Sequence, residues 1–319
     1  MGSLFFGILF ADLLRVFLME NVLNKRLVNP DQMNFAHHKM SPIEDLARLF
    51  SNREFSEVIV KASELQKKFP KSHIISNAMG CAFLELNQIE DATEQFQKAT
   101  LLNEDFAEPF YNLAVVQKRR GNIIEARNHA KLAINKDQNL AKAYMLLAEC
   151  CEELHMFAEA IKNYRYAERD RSTRQHALTS VVRLLIRVGT KEEALDLSEK
   201  LLHDFPNDEQ IQNQFITACL KFGEHTKAIK FLKKAAKTNQ PSSHILKLLG
   251  DALSADGQTI SAVNHYERAL KIDPNNTKIL EALTKACRVA GKTESAVNYA
   301  QEWVRLDTNN VNSQHQLGW

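Results

Sequence analysis

Glycine and proline are scarce in this 319-residue chain, at 10 and 7 residues. That scarcity excludes a loop-rich or all-β protein, whose turns need both. Cysteine is sparse as well, and none of Cys81, Cys150, Cys151, Cys219 and Cys287 belongs to a CxxC pair. Disulfide frameworks and zinc ribbons are thereby removed, and core thiols in a reducing, cytoplasmic compartment are expected. An excess of one charge is also missing: 41 basic residues face 39 acidic ones for a net charge of +2, too weak a field to recruit nucleic acid or an anionic membrane. No HExxH or GxSxG motif occurs, so neither catalysis nor a cofactor is expected. His37 and His38 are adjacent in a polar stretch with no further ligand nearby, which reads as solvated histidine and not as a metal site.

What the chain has instead is a period. Stepping in units of 34 from Ala92 lands on Ala126, Ala160, Ala194, Ala228, Ala262 and Ala296, and a repeat of that length decides the architecture. Units numbered from 1 begin at His73, Ala107, Ala141, Gln175, Glu209, Ser243 and Thr277, which places those alanines at position 20. Apolar residues at positions 4, 7, 8 and 11 fit one face of a first helix, A. Position 15 holds Asn87, Gly121, His155, Gly189, Gly223, Gly257 and Gly291, mostly residue types that accept the left-handed conformation ending a helix. A second helix, B, follows with Phe96, Tyr164 or Tyr266 at position 24, and Pro206 and Pro274 close two of the units. Small residues such as Gly250 and Ala262 act as spacers, because two helices joined by a short turn approach to about 8–10 Å only where side chains are small. One hairpin cannot cover both of its faces, so each unit depends on its neighbour in a one-dimensional stack.

The columns resemble the tetratricopeptide repeat (TPR). The unit from Ser243 matches that pattern at Leu246, Leu249, Gly250, Gly257, Ala262, Tyr266, Ala269 and Pro274. Seven units run over 73–310, preceded by a degenerate one at 39–72 that Leu49 and Pro70 keep in frame. The sequence departs from the family pattern at position 11, where Cys151, Cys219 and Cys287 replace an aromatic residue, and at position 32, where most units lack proline. The resemblance implies an all-α, right-handed α-solenoid of antiparallel helix pairs. It also implies a non-catalytic scaffold that binds an extended peptide or a partner helix in a concave groove lined by the A helices. Groove positions near 2, 5, 9, 12 and 13 yield Asn77, Tyr111, Lys118, Arg119, Met145, Glu149, Glu152, Glu153, Arg183, Arg187, Lys221, Lys247 and Lys285 as candidates.

The resemblance also offers two groove types to compare. The clamp for chaperone C-terminal carboxylates is matched only at Asn112 and Lys142, since Asn77, Cys81 and Leu146 occupy its other three places. The asparagine ladder of O-linked N-acetylglucosamine transferases is absent from position 6. A different functional class stays open: a substrate-presenting arm of a larger sulfotransferase or glycosyltransferase whose catalytic domain lies beyond Trp319. The stretch Gly291-Lys-Thr293 imitates a phosphate loop, but Gly291 falls in the turn column after a helix, whereas a phosphate loop follows a strand.

The apolar run from Leu4 to Met19 is interrupted by Asp12 and Arg15 and falls short of the ~20 residues that span a bilayer, so membrane attachment is not the expected role of the chain. Three readings of 1–38 remain: a helix packed on the first units, a weak membrane attachment, or leader sequence before a start at Met33 or Met40. At the other end, Val311–Trp319 restarts the array with Leu317 at position 7 and Gly318 at position 8, and a repeat continuing past Trp319 is expected. A chain begun at Met40 that melts with the full-length protein supports the leader reading; a large loss of melting temperature supports the packed helix.

Overall fold

A computed structural model describes residues 42–237 and 241–307. The expectations for 1–38 and for 311–319 lie outside the described residues. All regular structure among the described residues is α-helical. In chain order the helices are α1 (Pro42–Ser51), α2 (Phe55–Lys68), α3 (His73–Glu85), α4 (Ile89–Leu102), α5 (Ala107–Arg119), α6 (Ile123–Lys136), α7 (Ala141–Glu153) and α8 (Phe157–Ala167). They are followed by α9 (Arg174–Val188), α10 (Lys191–Asp204), α11 (Glu209–Lys221), α12 (His225–Ala235), α13 (Ser243–Ala255), α14 (Thr259–Ile272), α15 (Thr277–Val289) and α16 (Thr293–Leu306). Two compact bodies divide the chain, one ending at Ala177 and the other beginning at Leu178, so that the boundary falls within α9. In the first body α1/α2, α3/α4, α5/α6 and α7/α8 form antiparallel hairpins, and each later hairpin packs on the one before it. In the second, α10 packs on α11, and α11/α12, α13/α14 and α15/α16 stack in turn.

The turns explain why each hairpin folds back. Arg53, Asn87 and His155 have positive φ angles of 63°, 59° and 59°, and Gly121, Gly189, Gly223, Gly257 and Gly291 have values from 73° to 95°. Each of these left-handed residues is followed by a backbone N–H that returns to a carbonyl five residues earlier, as in Asn122 to Gln117 at 2.9 Å and Gln258 to Leu253 at 2.8 Å. This satisfies a carbonyl that the ending helix leaves open and aims the chain into helix B. The return into the next A helix is capped in several repeats by the last residue of the preceding one: Ser72 accepts from the N–H of Ile75, Asp208 from Ile211 and Ser242 from Ile245. Asn276 accepts from both Lys278 and Ile279.

Between the helices of some pairs, size at position 8 is exchanged against size at position 24. A Cβ on Gly250 would lie 2.5 Å from Cε1 of Tyr266, and one on Gly80 would lie 2.6 Å from Cε1 of Phe96. Val182 with Ser198 and Thr284 with Ala300 reverse the sizes, all buried, whereas Ala114 with Ala130 sets small with small and Ile216 with Leu232 large with large. The alanines at position 20 are at most 8% exposed, and Ala92, Ala126, Ala160, Ala194, Ala228 and Ala262 are fully buried. All five cysteines are free and buried, and burial pushes the thiols of Cys81, Cys150 and Cys219 up to about 12, as expected of inert core residues. Gly291 is a turn residue between α15 and α16, so the Gly-Lys-Thr stretch follows a helix and lacks the strand a phosphate loop requires.

Two outcomes follow for stability. Gly250→Ala drives a methyl into the Tyr266 ring and is expected to cost ~1–3 kcal/mol, and combining it with Tyr266→Leu should cost less than the sum of the single changes when followed by denaturant melts. Ala160→Leu or Ala228→Leu is expected to destabilise by a similar ~1–3 kcal/mol, and calorimetric midpoints unchanged by both would place these alanines outside the helix contacts.

Candidate peptide-binding face

In the first body the A helices α3, α5 and α7 touch in succession, and a fixed register joins them. The side-chain amide of Asn112 donates to Oδ1 of Asn77 at 2.9 Å, and Nη1 of Arg119 donates to the carbonyl of Leu84 at 3.1 Å, both across 35 residues. In the second body Gln214 donates to the carbonyl of Thr179 at 3.1 Å, and Nζ of Lys221 donates to the carbonyl of Ile186, again across 35 residues. Position 6 of one helix thus meets position 5 of the preceding helix, and position 13 caps its position 12. The cap gives a helix-end carbonyl a cationic donor, a favourable pairing at a C-terminus.

This register explains where the thirteen candidate residues sit. Asn77, Tyr111 and Met145 are 0%, 6% and 1% exposed, so column 5 in this body belongs to the packed seam and presents no open wall; that placement corrects the groove assignment for these three. The buried Asn77–Asn112 pair leaves Nδ2 of Asn77 and Oδ1 of Asn112 without hydrogen-bond partners. Exchanging oxygen and nitrogen in both amides reverses the bond and still leaves one donor and one acceptor unused. Lys118 pairs with Glu149 and lies 3.5 Å from Glu153. Burial opposes the charge on Lys118, yet Glu149 and then Glu153 outweigh it and hold the ammonium above its ordinary pKa. Glu152 accepts from the Tyr164 hydroxyl at 3.3 Å. Arg119 and Lys221 serve as the carbonyl caps just described.

In the second body Arg183 and Arg187 are exposed and lie one helical turn apart on α9. Lys247 pairs within its own helix with Asp251 at 2.7 Å, and Asp251 also accepts from the Tyr266 hydroxyl at 2.8 Å. Lys285 pairs with Glu281 at 2.6 Å. Missing from the candidate set was Lys142, only 8% exposed, whose ammonium sits 5.2 Å from the centre of the Tyr111 ring, a cation–π distance. Its signal was its place at position 2, a column the reading named. Among the described residues no group of three or more His, Cys, Asp or Glu side chains could hold a metal ion, and no helix is long and apolar enough to cross a membrane.

Comparison with known proteins agrees with this geometry. The family models described as TPR repeat and tetratricopeptide repeat match residues 80–121 and 244–276. No curated protein matches the sequence. Among solved structures, the chain is similar to a tetratricopeptide repeat protein from Parabacteroides merdae, at 15% identity over 83% of this chain and 97% of that one, with a TM-score of 0.50. It is also similar to PilW, a type IV pilus biogenesis factor, at 17% identity over 66% of this chain and 98% of that one, with a TM-score of 0.51. In two larger assemblies it spans only 54% and 42% of the matched chain. With the period, the left-handed turns and the close helix contacts all in the same frame, the chain carries tetratricopeptide repeats, matched directly at 80–121 and 244–276.

Proposed function

We propose that this protein is a non-catalytic scaffold that binds an extended protein segment along the face formed by its A helices. The observation that carries this reading is the pair Arg183 and Arg187, two exposed guanidinium groups one turn apart on an A helix. Arginine forks suit carboxylates and backbone carbonyls of a bound chain. The five buried free thiols support a reducing, cytoplasmic setting.

Peptides selected from a random display library against the full chain test this reading. Arg183→Glu combined with Arg187→Glu is expected to weaken their binding about tenfold or more, with a smaller salt dependence of the residual affinity, while the far-UV circular dichroism stays that of the parent. Selected peptides that bind parent and variant equally would remove the two arginines from the site.

A further inference from the structure

The B-helix side of the second body carries a feature that the peptide-binding reading does not use. Helix α12 has 11 residues, HTKAIKFLKKA, with lysines at 227, 230, 233 and 234 and no acidic residue. Its B-helix neighbours differ: α10 carries Glu192, Glu193, Asp196, Glu199 and Asp204 among its charges, and α14 carries Glu267 beside Arg268 and Lys271. Lys227 is neutralised by Glu199 at 2.6 Å. Lys230, Lys233 and Lys234 are exposed, and none of the ion pairs among the described residues includes them.

The arrangement has a cost inside the helix. Lys230 lies three and four residues from Lys233 and Lys234, spacings at which like charges on one helix repel by a few tenths of a kcal/mol each. Favourable interaction with the helix C-terminus accounts for Lys233 and Lys234, which are in the last turn. It does not account for Lys230. The positive field reaches the next B helix, where His265 of α14 is held below the ordinary imidazole pKa by burial first, then by Arg268 and by Lys233. The one acidic side chain of α14, Glu267, accepts from the Tyr299 hydroxyl at 3.4 Å.

We infer that Lys230, Lys233 and Lys234 of α12, with Arg268 of α14, form a docking surface for an acidic helical segment of a partner protein. The lysines repeat with the helical turn, a rise of about 5.4 Å, which matches carboxylates placed three and four residues apart on a partner helix. Nucleic acid fits the surface less well, because single strands are held by stacking on aromatic rings as well as by charge. Here Phe231 is turned edge-on against Phe215 at 5.7 Å and Tyr266 is buried. An anionic membrane fits less well too, since α12 has no large exposed apolar side chain to insert.

The probe is a synthetic alanine-based helical peptide with glutamate at every third or fourth position, titrated into the full chain by fluorescence anisotropy while the His265 ring is followed by NMR. Binding is expected to weaken as salt rises and to fall about tenfold in the combined Lys230→Gln, Lys233→Gln and Lys234→Gln variant. Saturation with peptide should raise the His265 pKa, because added carboxylates favour imidazolium. Arg183→Glu with Arg187→Glu should leave this binding unchanged, which separates it from the A-helix face. Absence of peptide binding, equal binding by the lysine variant, or tighter lysine-dependent binding of polyuridylate RNA or of phosphatidylserine vesicles would overturn the proposal.

Discussion

Backbone proximity between the two helices of a repeat is the constraint on which the remaining structure rests. At Gly80 and Gly250 an aromatic ring occupies the space a β-carbon would need, and the alanines of position 20 close the same interface from the other helix. Close-packed interiors respond to single methylene changes, so each pair is filled as one unit, by Tyr266 over Gly250 in one repeat and by Ile216 with Leu232 in another. Tyr266 against Gly250 and Val182 with Ser198 are two solutions to the same spacing. Once that spacing is set, the left-handed residue at position 15 fixes the reversal and the polar last residue of a repeat starts the next A helix.

The fold was legible because its determinants are periodic and backbone-directed. A residue that must be small or must adopt positive φ declares itself by type, and seven copies in one frame make the declaration hard to mistake. Arg53 shows where type alone falls short: arginine is not a usual left-handed residue, yet it adopts a φ of 63° in a turn that repeats the geometry of the others.

The binding face was less legible, for a different physical reason. Helical spacing tells which side of an A helix a residue occupies, but not whether the neighbouring helix uses it. Arg119 and Lys221 pattern as free cations, and their partners are backbone carbonyls of the preceding helix, which leave no mark in a charge pattern. Asn77 patterns as a polar groove residue and is instead enclosed with Asn112. Charge and polarity on a stacked helix serve the stack first, so helical spacing alone does not separate a groove residue from a seam residue.

The enclosed amide pair has a consequence for how such an array is rearranged. Solenoids are often regarded as strings of interchangeable parts, with stability summed over neighbours. Position 6 in the other repeats is Leu146, Ser180, Gln214, Leu248 or Ala282, and placing an aliphatic one beside Asn77 would enclose a primary amide with no hydrogen-bonding partner, a penalty of about 1–3 kcal/mol. The junction between residues 73–106 and 107–140 is therefore keyed. Shuffling, duplication or deletion of modules is tolerated more readily at junctions lacking such a polar lock, and the order of these two repeats is written into the chemistry of their contact.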